Sequence, residues 1–368
     1  MKTLILKAFE DGSAIKKGAE IIASGGLVAF PTETVYGLGA NGLDPNAAKK
    51  IYAAKGRPSD NPLILHICRL SELSELAEEI PEAAIKLAQR FWPGPLTMIF
   101  KKKPIVPDAV TGGLDTVAVR MPDHPVAKEL IMLSGCPIAA PSANISGRPS
   151  PVTAEHVAED LEGKVDLILD GGKCSVGIES TIVDVTEDIP VILRPGHITL
   201  KDLEDVLGEV RIDPAVSGIM SDKDRCSPEE THEHGDAVPR APGMKYTHYA
   251  PKGELLIISG SREKVRDYIK KSVSSLKERG VRTWVIASEE TRSFYPEENV
   301  LVMGSLTDIS SMEKELFKTL RYLDQENAEV IFSESFYTDE NAMGLMNRML
   351  KAAGHRIINA DEEGEYKC

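Results

Sequence analysis

The chain has 368 residues, enough for two or three domains, and its 42% hydrophobic and 27% charged residues are ordinary for a globular protein. Its net charge of −14, with no globally basic region, excludes extensive binding to a nucleic-acid backbone. No apolar run reaches the roughly 18 residues needed to cross a bilayer. The charged N-terminal segment does not resemble a signal peptide, so we expect no membrane association.

The cysteines argue against a metal or disulfide framework. Five are present, scattered along the chain and without the CxxC spacing of zinc sites: Cys68, Cys136, Cys174, Cys226 and Cys368. An odd number of unpaired thiols is typical of a reducing compartment. We therefore expect a cytoplasmic protein.

Residues 1–208 alternate short apolar strands with helical segments. A strand and the start of a helix open the chain, and further strands are predicted at 26–30, 62–67, 96–100, 116–120, 138–140, 165–169, 181–185 and 191–193. Helices are predicted at 46–54, 71–91 with a break near Pro81, 126–133 and 153–161. This alternation predicts an α/β fold, with a twisted mixed sheet that carries helices.

Residues 209–252 have a different character, because they are rich in proline, glycine and charge and show no apolar periodicity. We interpret them as a linker, and structureless segments of this length are usually either disordered or functional. His232 and His234 lie there with only acidic neighbours, which is a weak indication of a metal site.

Residues 253–358 return to a regular alternation of strands and helices. Strands are predicted at 254–258, 281–287, 300–303 and 330–332, and helices at 263–279, 311–327 and 344–353. This order predicts a smaller Rossmann-like parallel α/β domain. The first strand-to-helix turn, residues 259–261, lacks the G-x-G-x-x-G pattern, so no dinucleotide site is predicted.

Residues 55–62 have the composition of a rigid anion-binding turn. Lys55 can place a point charge on a phosphate, and Arg57 can clamp one with its planar guanidinium. Pro58 and Pro62 stiffen the segment on either side. A solvated loop with chance charges is the alternative for this segment alone.

Three further segments place small or polar residues where predicted strands end. They are residues 31–39, 141–149 (with Ser142 and Asn144 two residues apart) and 177–181. Ordinary turn chemistry would explain each one separately. Together with residues 55–62 they favour one pocket, since ligands of α/β sheets gather beyond strand ends.

Charged or titratable residues also close three strands. Arg120 could clamp a carboxylate, with a surface ion pair as the alternative, and Arg194 follows its strand in the same manner. His66 could hold an anionic or hydroxylated ligand or could bond to its own backbone. No catalytic triad, phosphate loop or H-E-x-x-H motif is present. Such a set suits nucleotidyl transfer, where positioning and charge neutralisation supply most of the rate.

These motifs together resemble the YrdC-like threonylcarbamoyl-AMP synthases. The resemblance covers PTETVYGLGA (31–40), KGRPSDNPL (55–63), RFWPGPLT (90–97), VAVRMPDHP (117–125), APSANISGRPSPVTAEHV (140–157), GIESTIVD (177–184) and LRPG (193–196). The segment APGMKYTHYAP (241–251) resembles the linker of the two-domain, Sua-type members, except that Ala241 stands where that segment often begins with serine. The resemblance implies a YrdC-like catalytic domain with a concave cleft (1–208), an extended linker crossing the active site (209–252) and a Rossmann-like C-terminal domain (253–368).

The resemblance also implies the reaction ATP + L-threonine + bicarbonate → threonylcarbamoyl-adenylate + pyrophosphate. It implies Lys55 and Arg57 as catalytic cations and a nucleotide site of Lys55, Arg57, Asn61, Thr116, Ser142, Asn144, Ser150 and Arg194. The implied threonine site consists of Thr34, His66, Arg120, Ser180 and the backbone of Ala140. Mg²⁺ is expected on the ATP phosphates. The implied partners are tRNA-modifying threonylcarbamoyl transferase machinery and, at most, a weak RNA contact.

On this basis we expect linker residues near 240–249 to fold over the cleft and exclude water from the adenylate. An RNA-binding module of the same fold without nucleotidyltransferase activity is the alternative function. A carbamoyl transferase like those of hydrogenase maturation is a second alternative, but this chain has neither their length nor their cysteine pairs.

Overall fold

The computed structural model describes residues 2–10, 12–217, 241, 248–295 and 298–362. Within these ranges the chain divides into two compact units. The first contains residues 2–10, 12–146, 150–217 and 241, and the second contains residues 147–149, 248–295 and 298–362. The first unit therefore extends past the predicted boundary at residue 208.

The first unit is built from short strands and helices. Its described strands are β1 (Leu4–Lys7), β2 (Val28–Phe30), β3 (Gly37–Asn41), β4 (Ile64–His66), β5 (Leu96–Lys101), β6 (Thr116–Arg120), β7 (Ile138–Ala139), β8 (Leu167–Asp170), β9 (Thr181–Asp184), β10 (Val191–Arg194) and β11 (Arg211–Ile212). Its described helices are α1 (Ser13–Ala23), α2 (Pro45–Lys55), α3 (Leu73–Leu76), α4 (Glu82–Phe91), α5 (Asp108–Thr111), α6 (Pro125–Ser134), α7 (Ala154–Leu161), α8 (Leu200–Leu207) and α9 (Pro214–Ser217).

The described strands of this unit form one sheet in the order β1-β8-β2-β3-β7-β4-β6-β5-β9-β10-β11. The sheet contains both parallel pairs, such as β4 with β6, and antiparallel pairs, such as β5 with β6, so the predicted mixed sheet is confirmed. A core of aliphatic residues lies between the sheet and helices α1 and α6. The sheet thus brings β4, β6 and β5 side by side.

The glycine-rich strand β3 was not predicted, because glycine has a low strand propensity. The strand nevertheless pairs antiparallel with both β2 and β7. A Cβ at Gly39 would lie only 2.8 Å from the side chains of Ile138 and Phe30. Close packing therefore requires glycine here. The predicted break near Pro81 is confirmed, since Pro81 is the extended residue before α4.

The predicted linker is only partly described. Its first residues continue the sheet, because β11 pairs parallel with β10. Ala241 is fully buried in a cluster that also contains Ile64, Ala118 and Leu193. His232, His234 and, apart from residues 241, 248 and 249, the segment expected to cross the active site lie outside the described residues.

The second unit contains a smaller, wholly parallel sheet within the described residues. Its strands are β12 (Glu254–Ser259), β13 (Thr283–Ala287), β14 (Val300–Val302), β15 (Val330–Glu334) and β16 (Ile357–Asn359), in the order β14-β13-β15-β12-β16. Its helices are α10 (Arg262–Glu278), α11 (Ile309–Gln325) and α12 (Met343–Ala352). The predicted parallel α/β fold is confirmed. In neither unit is a described helix both long enough and apolar enough to cross a membrane.

Candidate active site

Helix α2 carries Lys55 in its last turn, where a cation interacts favourably with the helix dipole. Gly56 follows in the left-handed conformation (φ 60°), and the Arg57 N–H donates to the Tyr52 carbonyl at 3.0 Å. A left-handed glycine of this kind ends the helix sharply. The chain therefore reverses between the two cations predicted to bind phosphate.

The Lys55 ammonium holds the turn that contains Ser142 and Asn144. Lys55 is only 2% exposed, and its Nζ donates to the carbonyl oxygens of Ser142 and Asn144, each at 2.5 Å. A third contact, at 3.4 Å, reaches Asn144 Oδ1. The Ser142 hydroxyl also donates to Asn144 Oδ1 at 2.5 Å. Lys55 thus gives this turn both its shape and a buried positive charge.

Arg57 contacts the backbone that follows it. Its Nε donates to the Asn61 carbonyl at 3.3 Å and its Nη2 to the Pro62 carbonyl at 3.1 Å. Asn61 is 2% exposed, and its Oδ1 has no hydrogen-bond partner among the described residues. Because buried amide oxygens are rarely left unpaired, this atom is suited to accept a hydrogen bond from a ligand.

Arg120 lies at the end of β6, buried and surrounded by oxygen atoms. Its Nη1 donates to Thr34 Oγ1 at 2.8 Å and its Nε to the Gly94 carbonyl at 3.3 Å. Its Nη2 lies 2.6 Å from Glu33 Oε1, which makes an ion pair. Arg120 therefore does form an ion pair, which was the alternative considered for it. The pair is buried and not on the surface, however, with side chains 5% and 8% exposed.

His66 lies beside Arg120, because the register of β4 against β6 pairs these two residues. Burial, and secondarily the Arg120 charge, lowers the pKa of His66 to about 3. Its Nδ1 is 3.2 Å from the Ile64 carbonyl, which fits an N–H donated to that oxygen. His66 is therefore a neutral side chain at physiological pH, able to contribute hydrogen bonds and shape but not charge.

Ser180 connects the predicted nucleotide and threonine residues. Its hydroxyl lies 2.7 Å from Thr97 Oγ1 and accepts from Arg194 Nη2 at 3.2 Å. Arg194 Nε also donates to the Ser180 carbonyl at 3.1 Å. Thr97 in turn pairs with Arg120 in the β5–β6 register. Hydrogen bonds thus join Arg194, assigned to ATP, with Ser180, assigned to threonine, and the strand register places Thr97 of this network opposite Arg120.

Ser150 and Ala140 are buried next to this network. The Ser150 hydroxyl donates to Glu179 Oε1 at 2.5 Å, and Glu179 immediately precedes Ser180. The Ala140 N–H donates to the Ile64 carbonyl at 2.9 Å, which leaves the Ala140 carbonyl as the backbone atom for a ligand. Both residues are thus placed by contacts with the segments predicted to form the site.

Thr116 is the predicted site residue set apart from the threonine group. It begins β6, whereas Arg120 ends the same strand, so the two lie roughly 13 Å apart along the strand. Sequence reasoning also missed residues that contact the site: Glu33, Thr97 and Glu179. The sequence did contain a signal for Glu33, which is a single carboxylate between two threonines in the segment 31–39. That segment was considered as a unit, so Glu33 was not singled out.

Comparisons with known proteins identify the family to which the chain is similar. Residues 20–196 match the family model described as Telomere recombination (Sua5, YciO and YrdC), and residues 198–354 match the model described as Threonylcarbamoyl-AMP synthase, C-terminal domain. The threonylcarbamoyl-AMP synthase of Pyrococcus abyssi is 50% identical over 94% of this chain and 95% of its own length. That of Bacillus subtilis is 45% identical over 94% of each chain.

A solved structure also matches nearly the whole chain. The crystal structure of P. abyssi Sua5 complexed with L-threonine is 47% identical and superposes with a TM-score of 0.86, covering 98% of this chain and 99% of that one. The resemblance drawn from the sequence motifs is thereby confirmed. The chain belongs to the threonylcarbamoyl-AMP synthase family.

Proposed function

We propose that this enzyme joins L-threonine, bicarbonate or CO₂, and ATP into threonylcarbamoyl-adenylate, with release of pyrophosphate. The observation that carries the proposal is the contact of Arg194 with Ser180, because it connects the side chains suited to phosphates with those suited to an amino acid. A relative 47% identical to this chain was crystallised with L-threonine, which supports the amino-acid half of the proposal.

The nucleotide half of the site consists of fixed donors. Arg57 supplies a planar cation for the phosphates, and the Ser142–Asn144 turn supplies hydroxyl and amide groups. Lys55 keeps that turn in place while its positive charge remains beside it. Asn61, Ser150, Thr116 and Arg194 complete the proposed nucleotide contacts. Donors that are already oriented stabilise developing charge without reorganising during the reaction.

The threonine half places Arg120 on the substrate carboxylate. Thr34 and Ser180 offer hydroxyl groups, the Ala140 carbonyl offers an acceptor, and His66 offers a neutral imidazole. A buried guanidinium binds a carboxylate strongly and in a defined orientation.

The chemistry needs no covalent attachment to the protein. The deprotonated threonine amine adds to CO₂ with release of a proton, or to bicarbonate with loss of water, to give a carbamate. A carbamate oxygen then attacks the α-phosphorus of ATP. Pyrophosphate leaves as the new P–O bond forms. The protein aligns the two substrates and offsets the charge that grows on the phosphates, with Lys55 and Arg57 as its catalytic cations.

Mg²⁺ fits this site as an ion carried by the triphosphate. Among the residues that the structure describes, no group of three or more His, Cys, Asp or Glu side chains could hold a metal. Mg²⁺ usually keeps several waters and binds substrate phosphates rather than an all-protein cage. When bound, it would neutralise charge on the β- and γ-phosphates.

The product is an activated, hydrolysable adenylate, so an acceptor must take it over promptly. We propose that tRNA-modifying threonylcarbamoyl transferase machinery in the cytoplasm consumes it. With a net charge of −14, any RNA contact by this chain itself should be weak. Gel shifts with tRNA at increasing salt would measure that contact.

A pyrophosphate-release assay tests the proposed function. Release should require L-threonine, bicarbonate and ATP together, and omission of any one should reduce it to background. Mass spectrometry should detect threonylcarbamoyl-adenylate in the complete mixture. Release that is unaffected by leaving out threonine would contradict the proposal.

A further inference from the structure

Among the described residues of the first unit, buried side-chain polar atoms without a hydrogen-bond partner fall into two sets. Asn61 Oδ1 and Ser146 Oγ lie in the segments assigned to the nucleotide. Both oxygens of Glu33, Arg120 Nη2 and His124 Nδ1 form the second set. Because folded proteins leave few buried polar atoms unpaired, each set points to a ligand group that completes it.

Glu33 belongs to the second set, and the proposed function leaves it without a role. It is 6% exposed, and its Oε1 lies 2.6 Å from Arg120 Nη2. The two groups form an ion pair, yet neither carboxylate oxygen receives an aligned hydrogen bond from the part of the chain that the structure describes. An ionised carboxylate can accept about four hydrogen bonds. Glu33 therefore retains acceptor capacity directly beside the proposed carboxylate clamp.

The backbone holds Glu33 in a fixed position. The Val176 N–H donates to the Glu33 carbonyl at 2.8 Å, and the Gly177 N–H donates to the Thr34 carbonyl at 3.1 Å. Thr32 Oγ1 accepts from the N–H groups of Thr34 and Val35 at 3.2 and 3.3 Å. A side chain on so constrained a segment is preorganised for binding.

We propose that Glu33 accepts hydrogen bonds from the α-ammonium group of the amino-acid substrate while Arg120 binds its carboxylate. An amino-acid zwitterion carries its two opposite charges on groups attached to one carbon atom, and the Glu33–Arg120 pair presents the complementary charges side by side. In the absence of substrate the two side chains neutralise each other, which limits the cost of burying them. This inference rests on the proposed use of L-threonine.

The test combines one substitution in the protein, at Glu33, with removal of the α-amino group from the ligand. Calorimetry would compare L-threonine with 3-hydroxybutanoate, which lacks the α-amino group, on the full chain and on Glu33→Gln. We expect the wild type to prefer threonine by at least about tenfold, the size of one charged hydrogen bond. Glu33→Gln should lose most of that preference by weakening threonine binding, with 3-hydroxybutanoate bound within about twofold of wild type.

Two variants serve as controls. Glu33→Asp keeps the charge and should retain a preference for threonine. Asp123→Asn removes a carboxylate that is 57% exposed and pairs with Lys128, and it should leave both affinities unchanged. Thermal melting would check that each variant is folded.

The outcomes separate the two claims. If Glu33→Gln weakens both ligands equally, Glu33 only orients Arg120 and the inference is overturned. Equal affinity of the wild-type protein for the two ligands would overturn it even if the Gln variant did not fold. No threonine binding by the wild type would overturn the proposed function, and this inference with it.

Discussion

The two units differ in how the polar side chains near their strand ends are hydrogen-bonded. In the first unit, Asn61 Oδ1 and the carboxylate oxygens of Glu33 receive no aligned hydrogen bond from the described residues, although Glu33 forms an ion pair with Arg120. In the second unit, the carboxylates at the strand ends are used internally. Asp361 accepts from the Ser261 hydroxyl at 2.6 Å and from its N–H at 2.9 Å, and Glu334 accepts from Thr291 and Tyr295 at 2.6 and 2.7 Å.

The difference teaches that a parallel α/β sheet is not by itself a binding site. In the second unit the position where such sheets usually bind anions, the N-terminus of α10, is already contacted by Asp361. Glu290 likewise accepts from the Ser305 hydroxyl and the Leu306 N–H, and such bonds hold its pKa down at about 2. We therefore expect substrate chemistry in the first unit and a stabilising role for these carboxylates.

The largest expected effect is on catalysis in the first unit. Arg57→Ala should reduce threonine-dependent pyrophosphate release by about 10²–10³-fold, because a fixed cation on the phosphates is lost. The matched control is Arg211→Ala, which removes an arginine that is 63% exposed on β11. Near-normal release by the Arg57 variant would remove Arg57 from the catalytic machinery.

The second-largest expected effect is on the stability of the second unit, without an effect on substrate binding. Glu334→Ala removes the carboxylate that accepts from the buried hydroxyls of Thr291 and Tyr295 and should lower the free energy of unfolding by about 2–4 kcal/mol. The affinities for ATP and threonine should stay unchanged. Urea denaturation and calorimetry measure the two quantities, with the exposed Glu298→Ala as control. A specific loss of substrate affinity would mean that the second unit takes part in binding.

A smaller effect follows from His66. Its pKa is about 3 in the folded protein and about 6.5 when unfolded, so below pH 6.5 the unfolded state binds a proton that the folded state does not. The stability that neutral His66 contributes is complete above pH 6.5 and declines toward pH 3, by up to about 1.4 kcal/mol per pH unit. His66→Asn should flatten this dependence relative to wild type in denaturation curves. Equal slopes for the two proteins would show that His66 titrates normally.

Much of this organisation could be predicted from the sequence. Apolar runs bounded by glycine and proline reveal most strands, and the parallel second sheet follows from its regular alternation with helices. The segments around Lys55 and Ser142 were expected in one pocket because each places small or polar residues near the end of a predicted strand, where ligands of α/β sheets gather. The contact of Lys55 with the Ser142–Asn144 turn then fits that expectation.

The rest depends on pairings between distant parts of the chain. β7 lies between β3 and β4 because of packing, and no local pattern encodes that neighbourhood. Glu33 and Arg120 are 87 positions apart in sequence, and each has an ordinary polar neighbourhood along the chain. Only the fold shows that they form a buried pair.

The central claim is that both substrates bind within the first unit. A crystal structure of the chain grown with a non-hydrolysable ATP analogue, Mg²⁺ and L-threonine tests it most directly. We predict the triphosphate beside Arg57 and Asn144, and the threonine carboxylate on Arg120. Density for either ligand at the strand ends of the second unit, with none at Arg57 or Arg120, would contradict the account.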